Sequence, residues 1–216
     1  MSLNPVETFN TFAKIREHVP EGLTIIFDAP QRRGKTLGMT IWALDAFQNG
    51  RNVFSNIQFG FPHNPLEFQD IRLADGPSRY WNGHVAIDEL NFFFDARRSI
   101  SGPNIEFGSF LLQQKKQGCN ITGTTHDISY LDLRIRDNHD YVIRPEVFPK
   151  HPAPPQVLKM TIENGPLQGN MRKVLALDCR PYLGLYDSFA VYDPFRASRD
   201  SEDDEPKKPR GRRVTL

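Results

Sequence analysis

Gly34, Lys35 and Thr36 are the residues of this 216-residue chain whose types and order could most directly do chemistry. They follow residues 23–27, a short apolar run whose β-branched side chains favour a buried strand. They precede residues 37–48, which contain no proline and space their apolar side chains as a helix does. A strand, a tight loop, Gly-Lys-Thr and a helix form the context of a phosphate-binding loop. The alternative is a chance Gly-Lys-Thr in an ordinary loop.

Such a loop binds phosphate because consecutive backbone N–H groups point inward and the positive end of the following helix dipole adds to the attraction. We expect Lys35 to reach the β- and γ-phosphates and the Thr36 hydroxyl to bind Mg²⁺. We also expect glycine at position 34 because a side chain there would obstruct the phosphate. The predicted nucleotide-binding residues are Ala29, Gln31, Arg32, Arg33, Gly34, Lys35, Thr36 and Leu37. Ala29 stands where a first glycine is usual, which is compatible with the loop if its φ stays negative.

Asp88 and Glu89 are the second candidate pair, because they end an apolar run that begins at His84. An apolar strand that ends in Asp-Glu is typical of a Walker B strand, in which Asp88 would hold the Mg²⁺ shell with Thr36. Glu89 would then orient and deprotonate the attacking water as a general base. The alternative is a strand that merely ends in two solvated acids. The Gly-Lys-Thr upstream favours the catalytic interpretation.

His126 ends a further predicted strand, residues 119–126. In phosphate-binding-loop motors, the strand beside Walker B ends in a polar residue near the γ-phosphate, and His126 is the candidate for this sensor. A histidine that only caps the end of a strand is the alternative.

Arg134 and Arg136 are candidates for an arginine finger, a residue that neutralises developing charge on the transferred phosphoryl group of a neighbouring subunit. They lie two residues apart, so they share one side of an extended segment but diverge on a helix. The alternative is ion pairing within the chain, with Asp132, Asp137 or Asp140 as the partner.

The composition indicates a globular protein and excludes some functions. Hydrophobic residues make up 38% of the chain. The formal net charge is only +1, so the protein lacks the overall positive charge typical of nucleic-acid-binding proteins, and any such binding site must be a local patch. Cys119 and Cys179 fit no metal spacing and predict reduced core residues in a cytosolic protein. We find neither a membrane span nor the apolar core of a signal peptide, and expect a soluble protein.

The order of the predicted elements indicates an α/β protein with a mostly parallel sheet, flanking helices and an antiparallel C-terminal extension. The predicted organisation is one domain at 1–197, made of a helix at 5–18, a core at 22–145 and a β-rich extension at 146–197, and a charged tail at 198–216. The tail has no apolar pattern, so we expect disorder. Its basic end could bind a polyanion or serve only as a solubilising end.

Together, these residues resemble the HerA–FtsK branch of P-loop ATPases. They resemble in particular the Zot (zonular occludens toxin)-like ATPases of phage morphogenesis and the genome-packaging ATPases of membrane-containing icosahedral viruses. The resemblance rests on residues 29–36, 50–57, 87–89, 94–97, 110–118, 124–126, 131–136 and 184–189. Two positions depart from the pattern. His126 stands where Gln or Asn is usual, and Lys115 or Lys116 stands where an arginine is found in FtsK-like members, although lysine lacks the bidentate fork.

This resemblance implies a RecA/HerA–FtsK-like fold, bound ATP and Mg²⁺, and a ring homo-oligomer, usually a hexamer, with ATP at the subunit interfaces. It further implies a motor that moves double-stranded DNA into a viral capsid, with the capsid vertex or a membrane protein as docking partner. The expected location is the host cytoplasm or the virion.

Two other functions remain. One is a filamentous-phage assembly ATPase that drives virion extrusion; such proteins typically carry a membrane span after the ATPase domain, and its absence from this sequence favours packaging. The other is a nucleotide-dependent scaffold without hydrolysis, which the presence of Glu89 disfavours.

Overall fold

The computed structural model of the protein describes residues 5–18, 22–66, 80–92, 109–110, 113, 115–166, 169 and 171–187. The predicted tail at 198–216 lies outside the described residues, and the division of the chain into domain, extension and tail stays a prediction. None of the described helices combines the length and the apolar composition of a membrane span.

The described residues include one eight-stranded sheet and three α-helices that are described from end to end. The strands are β1 (Thr24–Asp28), β2 (Val53–Ser55), β3 (Asn64–Pro65), β4 (His84–Ile87), β5 (Asn120–Thr125), β6 (Tyr141–Phe148), β7 (Val157–Asn164) and β8 (Arg172–Asp178). The helices are α1 (Pro5–His18), α2 (Lys35–Gln48) and α3 (Leu133–Asn138).

The strand order is β3-β2-β4-β5-β1-β6-β7-β8. The first six strands in this order, from β3 across to β6, are parallel to one another. The last two, β7 and β8, continue the sheet with antiparallel pairing. The predicted fold class, a mostly parallel sheet with an antiparallel C-terminal extension, is therefore confirmed. Because parallel strands end at the same edge, the residues after β1, β4 and β5 meet there.

Successive side chains of the central strand β1 pack into two different hydrophobic cores, one on each face of the sheet. Ile25 and Phe27 face the core that contains α1 and α2, where Phe12 packs on Trp42 with ring centroids 4.1 Å apart. Ile26 faces the other core. The sequence of a strand buried on both faces is a continuous apolar run rather than an alternation of apolar and polar residues. Residues 23–27 show this pattern. Burial on both faces holds β1, and hence the loop that follows it, in a fixed position.

The segment with Arg134 and Arg136 is helical. Asp132 caps α3, because its Oδ1 accepts a hydrogen bond from the Arg134 N–H at 2.9 Å. The two arginines therefore diverge around the helix.

Candidate nucleotide-binding site

The loop between β1 and α2 has the geometry of a phosphate-binding loop. Gly34 is the N-cap of α2 at φ 90°, so α2 begins at Lys35 as the motif requires. A Cβ at position 34 would lie 2.7 Å from Val147 Cγ1 and 3.0 Å from Leu158 Cδ1. The left-handed backbone and the packing of the β6–β7 hairpin therefore both require this glycine, and obstruction of the phosphate by a side chain stays a prediction.

Lys35 is buried at the base of this loop, with 6% of its surface exposed. Its Nζ donates a hydrogen bond to the Pro30 carbonyl at 3.3 Å and lies 3.2 Å from His126 Nδ1. Burial lowers the pKa of Lys35, and the nearby carboxylates of Glu89 and Asp88 oppose that effect. A phosphate group would supply the anionic partner that this desolvated ammonium group favours.

Asp88 is held by hydrogen bonds from three directions. Its Oδ1 accepts from the hydroxyls of Thr36 at 3.1 Å and Thr124 at 2.7 Å. The Asn56 side chain accepts from the Asp88 N–H at 2.7 Å and donates to the Asp88 carbonyl at 3.0 Å. These bonds fix the carboxylate beside the first turn of α2, where the sequence predicted it.

Glu89 lies beside this group in a strained conformation, with φ 56°. Its N–H donates to Thr124 Oγ1 at 2.9 Å, and its Oε1 lies 3.2 Å from His126 Nε2. Its Oε2 is buried and has no hydrogen-bond partner among the described residues. Burial raises the pKa of Glu89, and His126 opposes the shift while Asp88 adds to it. A carboxylate destabilised in this way is a stronger proton acceptor than an ordinary one.

His126 connects the two groups. An ammonium group can only donate, so the contact with Lys35 makes Nδ1 the acceptor and places the ring proton on Nε2. Nε2 then donates to Glu89 Oε1. The sequence-predicted sensor, phosphate-binding lysine and general base therefore form one chain of contacts.

Thr36 and Asp88 could hold a divalent cation. Their hydroxyl and carboxylate oxygens lie 3.1 Å apart, and Mg²⁺ prefers oxygen ligands. No group of three or more His, Cys, Asp or Glu side chains able to hold a metal occurs in the described part of the chain. Mg²⁺ typically takes one or two carboxylates plus substrate phosphates and water, so the residues present fit this ion.

Arg134 and Arg136 lie on α3, between the end of β5 and the start of β6. The residues after α3 lead to the opposite edge of the sheet, where the Asp140 N–H donates to the Thr24 carbonyl at 2.8 Å. Arg134 is exposed, and Arg136 Nε is buried without a hydrogen-bond partner among the described residues. Action of either residue on a neighbouring subunit stays a prediction.

Lys115 is engaged within the chain. The resemblance places either Lys115 or Lys116 where FtsK-like members have an arginine, and that correspondence stays a prediction. Lys115 Nζ lies 2.8 Å from Asp140 Oδ2 and donates to the Asn138 carbonyl at 2.7 Å. It therefore helps to join α3 to the start of β6.

Sequence reasoning missed four residues of the site: Asn56, Thr124, Asp28 and Tyr186. Asn56 follows β2 and Thr124 lies near the end of β5, and these two strands flank β4, so the strand order was needed to find both residues. Burial raises the pKa of Asp28, which Arg144 opposes from 3.6 Å. Tyr186 pairs with Phe59 in a β-bridge, and its pKa is raised by burial and by Asp88. The described part of the segment that carries the resemblance, residues 184–187, thus approaches Asp88 through Tyr186.

Comparison with solved structures finds the same fold in viral and bacterial proteins. The N-terminal domain of zonular occludens toxin from Neisseria meningitidis superposes with a TM-score of 0.57 and 19% identity, over 77% of this chain and 98% of that chain. The genome packaging NTPase B204 of Sulfolobus turreted icosahedral virus 2, in complex with sulfate, gives a TM-score of 0.52 and 11% identity over 72% and 96%. Its complex with ATP-gammaS gives 0.50 and 11% over 72% and 97%. No protein-family model and no curated protein sequence matches the chain.

The strand order is that of a P-loop NTPase fold. Thr36 of the Walker A motif and Asp88 of the Walker B motif are in contact in it. Within that class, the resemblance to Zot-like and viral packaging ATPases is confirmed for the fold.

Proposed function

We propose that the protein binds ATP with Mg²⁺ and hydrolyses it. One observation carries this proposal: Lys35, His126 and Glu89 form a chain of 3.2 Å contacts beside the Thr36–Asp88 pair. This arrangement places a phosphate-binding cation and a proton-accepting carboxylate on either side of one imidazole.

Each residue then has one role in hydrolysis. The loop backbone and Lys35 bind the phosphates, while Thr36 and Asp88 would hold Mg²⁺, which neutralises phosphate charge when bound. Glu89 accepts a proton from the water whose oxygen attacks the γ-phosphorus, and the bond from that phosphorus to the β–γ bridging oxygen breaks. His126 contacts both Lys35 and Glu89, so it is suited to sense whether a γ-phosphate is present.

The work proposed for this hydrolysis is the translocation of double-stranded DNA into a viral capsid by a ring of subunits, in the host cytoplasm or at the virion. Support comes from the fold shared with the packaging NTPase B204. In a ring, Arg134 or Arg136 of a neighbour would complete the site, and a capsid vertex or membrane protein would dock the ring.

Extrusion of a filamentous phage is the second candidate. The fold shared with the zonular occludens toxin domain, at a TM-score of 0.57, supports this candidate equally. A non-hydrolysing scaffold is disfavoured because Glu89 is positioned and desolvated as a base requires.

Steady-state ATPase rates with Mg²⁺, measured with and without linear duplex DNA for wild type and Lys35→Ala, test the proposal. Turnover that requires Lys35 and rises with DNA supports the packaging motor. Turnover that requires Lys35 but ignores DNA favours extrusion. If sedimentation shows an assembled oligomer that does not hydrolyse ATP, the enzymatic proposal is wrong.

A further inference from the structure

Arg32 of the phosphate-binding loop contacts His151, which follows β6, at the protein surface. Arg32 Nη1 lies 3.4 Å from His151 Nδ1, and both side chains are exposed. Arg32 is one of three described non-glycine residues with positive φ, at 59°. A residue held in this sparsely populated region at a ligand site is a reason to look for a function.

The catalytic residues determine in which direction a bound nucleoside triphosphate must lie. In a loop of this type the lysine reaches the β- and γ-phosphates, and the backbone holds the α- and β-phosphates. Lys35 contacts His126, which contacts Glu89, so the γ-phosphate end lies on the β4–β5 side of β1. The nucleoside must therefore leave the loop on the opposite side, where the sheet order places β6 and β7.

The β6–β7 hairpin is fixed against the loop on that side. Val147 and Leu158 pair across the two strands, and both side chains pack so close to Gly34 that a Cβ there would clash. Arg33 lies near enough to contribute to the lowered pKa of Glu146, which Lys159 lowers most by its hydrogen bond. The loop that carries His151, residues 149–156, is therefore held beside the phosphate-binding loop.

The chemistry of the pair suits a nucleobase. Since a guanidinium group only donates, His151 Nδ1 is the acceptor and Nε2 carries the ring proton. Arginine and histidine side chains both stack on nucleobases, and the Nε2–H can donate to a ring nitrogen of a purine.

We propose that Arg32 and His151 form the nucleobase side of the nucleotide site and bind the purine of ATP by stacking. This inference rests on the proposed function, because it requires the triphosphate to bind at Lys35.

Equilibrium titration of the full chain with ATP and with inorganic tripolyphosphate, both in Mg²⁺, tests this proposal. Tripolyphosphate has no base, so it reports the phosphate contacts alone. We expect His151→Ala to weaken ATP binding by about tenfold and to leave tripolyphosphate binding unchanged. His151→Phe, which keeps an aromatic face, should restore most of the affinity for ATP. Wild type should also bind ATP more tightly than UTP, and His151→Ala should reduce that preference.

Lys150→Ala is the control, since it alters an exposed residue of the same loop without removing an aromatic ring. Equal losses for ATP and tripolyphosphate in His151→Ala, or no loss at all, would show that the Arg32–His151 contact is only structural. Wild type that binds tripolyphosphate as tightly as ATP would overturn the inference but leave the phosphate site intact. Wild type that binds neither ligand would overturn the proposed function itself.

Discussion

The two edges of the sheet carry polar networks that differ in what the charged groups contact. At the carboxyl edge, where the parallel strands end, Lys35 and Glu89 each contact His126. One Glu89 oxygen is buried there without a hydrogen bond among the described residues. At the amino edge, by contrast, the polar side chains bond largely to backbone groups that begin neighbouring strands.

Asp140 and Arg51 show the amino-edge pattern. Asp140 Oδ2 accepts from the Thr24 N–H at 2.7 Å and pairs with Lys115 at 2.8 Å. Arg51 donates to the carbonyls of Gly83 at 3.2 Å and Gly118 at 2.8 Å, which precede β4 and β5. These bonds join strand ends, so their loss should affect stability.

Buried polar groups of one sheet can therefore have two different roles, stabilising the fold or binding a ligand. Side chains that satisfy the backbone stabilise the fold. Side chains that are desolvated and bonded partly to one another can exchange those partners for a ligand, as Lys35 would exchange its contact with His126 for contacts with phosphates. Mutations at the two edges should therefore separate activity from stability.

Glu89→Gln should produce the largest effect, a fall in kcat of about 1,000-fold, because the amide cannot accept the proton of the attacking water. ATP affinity should change little, since Glu89 is not predicted to bind the phosphates. Single-turnover ATPase rates and ATP titrations measure the two quantities. Glu17→Gln, an exposed change on α1, is the control. Unchanged turnover in Glu89→Gln would contradict the assignment of the base and revive the scaffold.

Asp140→Ala should lower the free energy of unfolding by about 3 kcal/mol, because it leaves Lys115 and the Thr24 N–H without their shared partner. The kcat of the folded fraction should stay near that of wild type. Urea unfolding measures the loss, and Asp137→Ala on the exposed side of α3 should change stability by less than about 0.5 kcal/mol. A large loss of kcat without a loss of stability would erase the distinction between the edges.

His84 at the start of β4 should make stability depend on pH. Burial lowers the pKa of His84 from its ordinary 6.5 to about 3. Between these values the unfolded chain binds a proton that the folded chain does not, so stability falls as pH falls, by up to about 1.4 kcal/mol per pH unit. Unfolding of wild type and His84→Gln from pH 4.5 to 7 isolates this contribution, because the variant should lose that part of the slope. Parallel curves would contradict it.

Glu89 should have the smallest effect on stability, and its pH dependence should be opposite to that of His84. The pKa of Glu89 is raised in the folded state, which means that folding favours the protonated carboxyl group. The stabilisation from this group is therefore complete below the ordinary pKa of glutamate and is lost as pH rises through the pKa of the folded state. Glu89→Gln should therefore raise Tm at pH 7 to 8, and the gain should shrink as pH falls toward 4.5. Thermal unfolding across this range measures it; a lower Tm at pH 8 would be the contrary result.

Much of the site could be predicted from local patterns. Lys35 and Thr36 lie at the start of one helix, and Asp88 and Glu89 follow one short strand, so each pair is encoded within about ten residues of sequence. The apolar runs and helical spacings likewise predicted the α/β fold class. These signals are local because strand, loop and helix propensities depend on neighbouring residues.

The tertiary structure decided how distant segments meet. It brought Asn56 and Thr124 to Asp88, made a helix of the segment with Arg134 and Arg136, and explained Gly34 by the hairpin that packs on it. The sequence by itself determined the chemical groups of this protein and their local elements. Only the order of strands in the sheet determined their partners, because contacts between residues far apart in the chain depend on packing rather than on local preference.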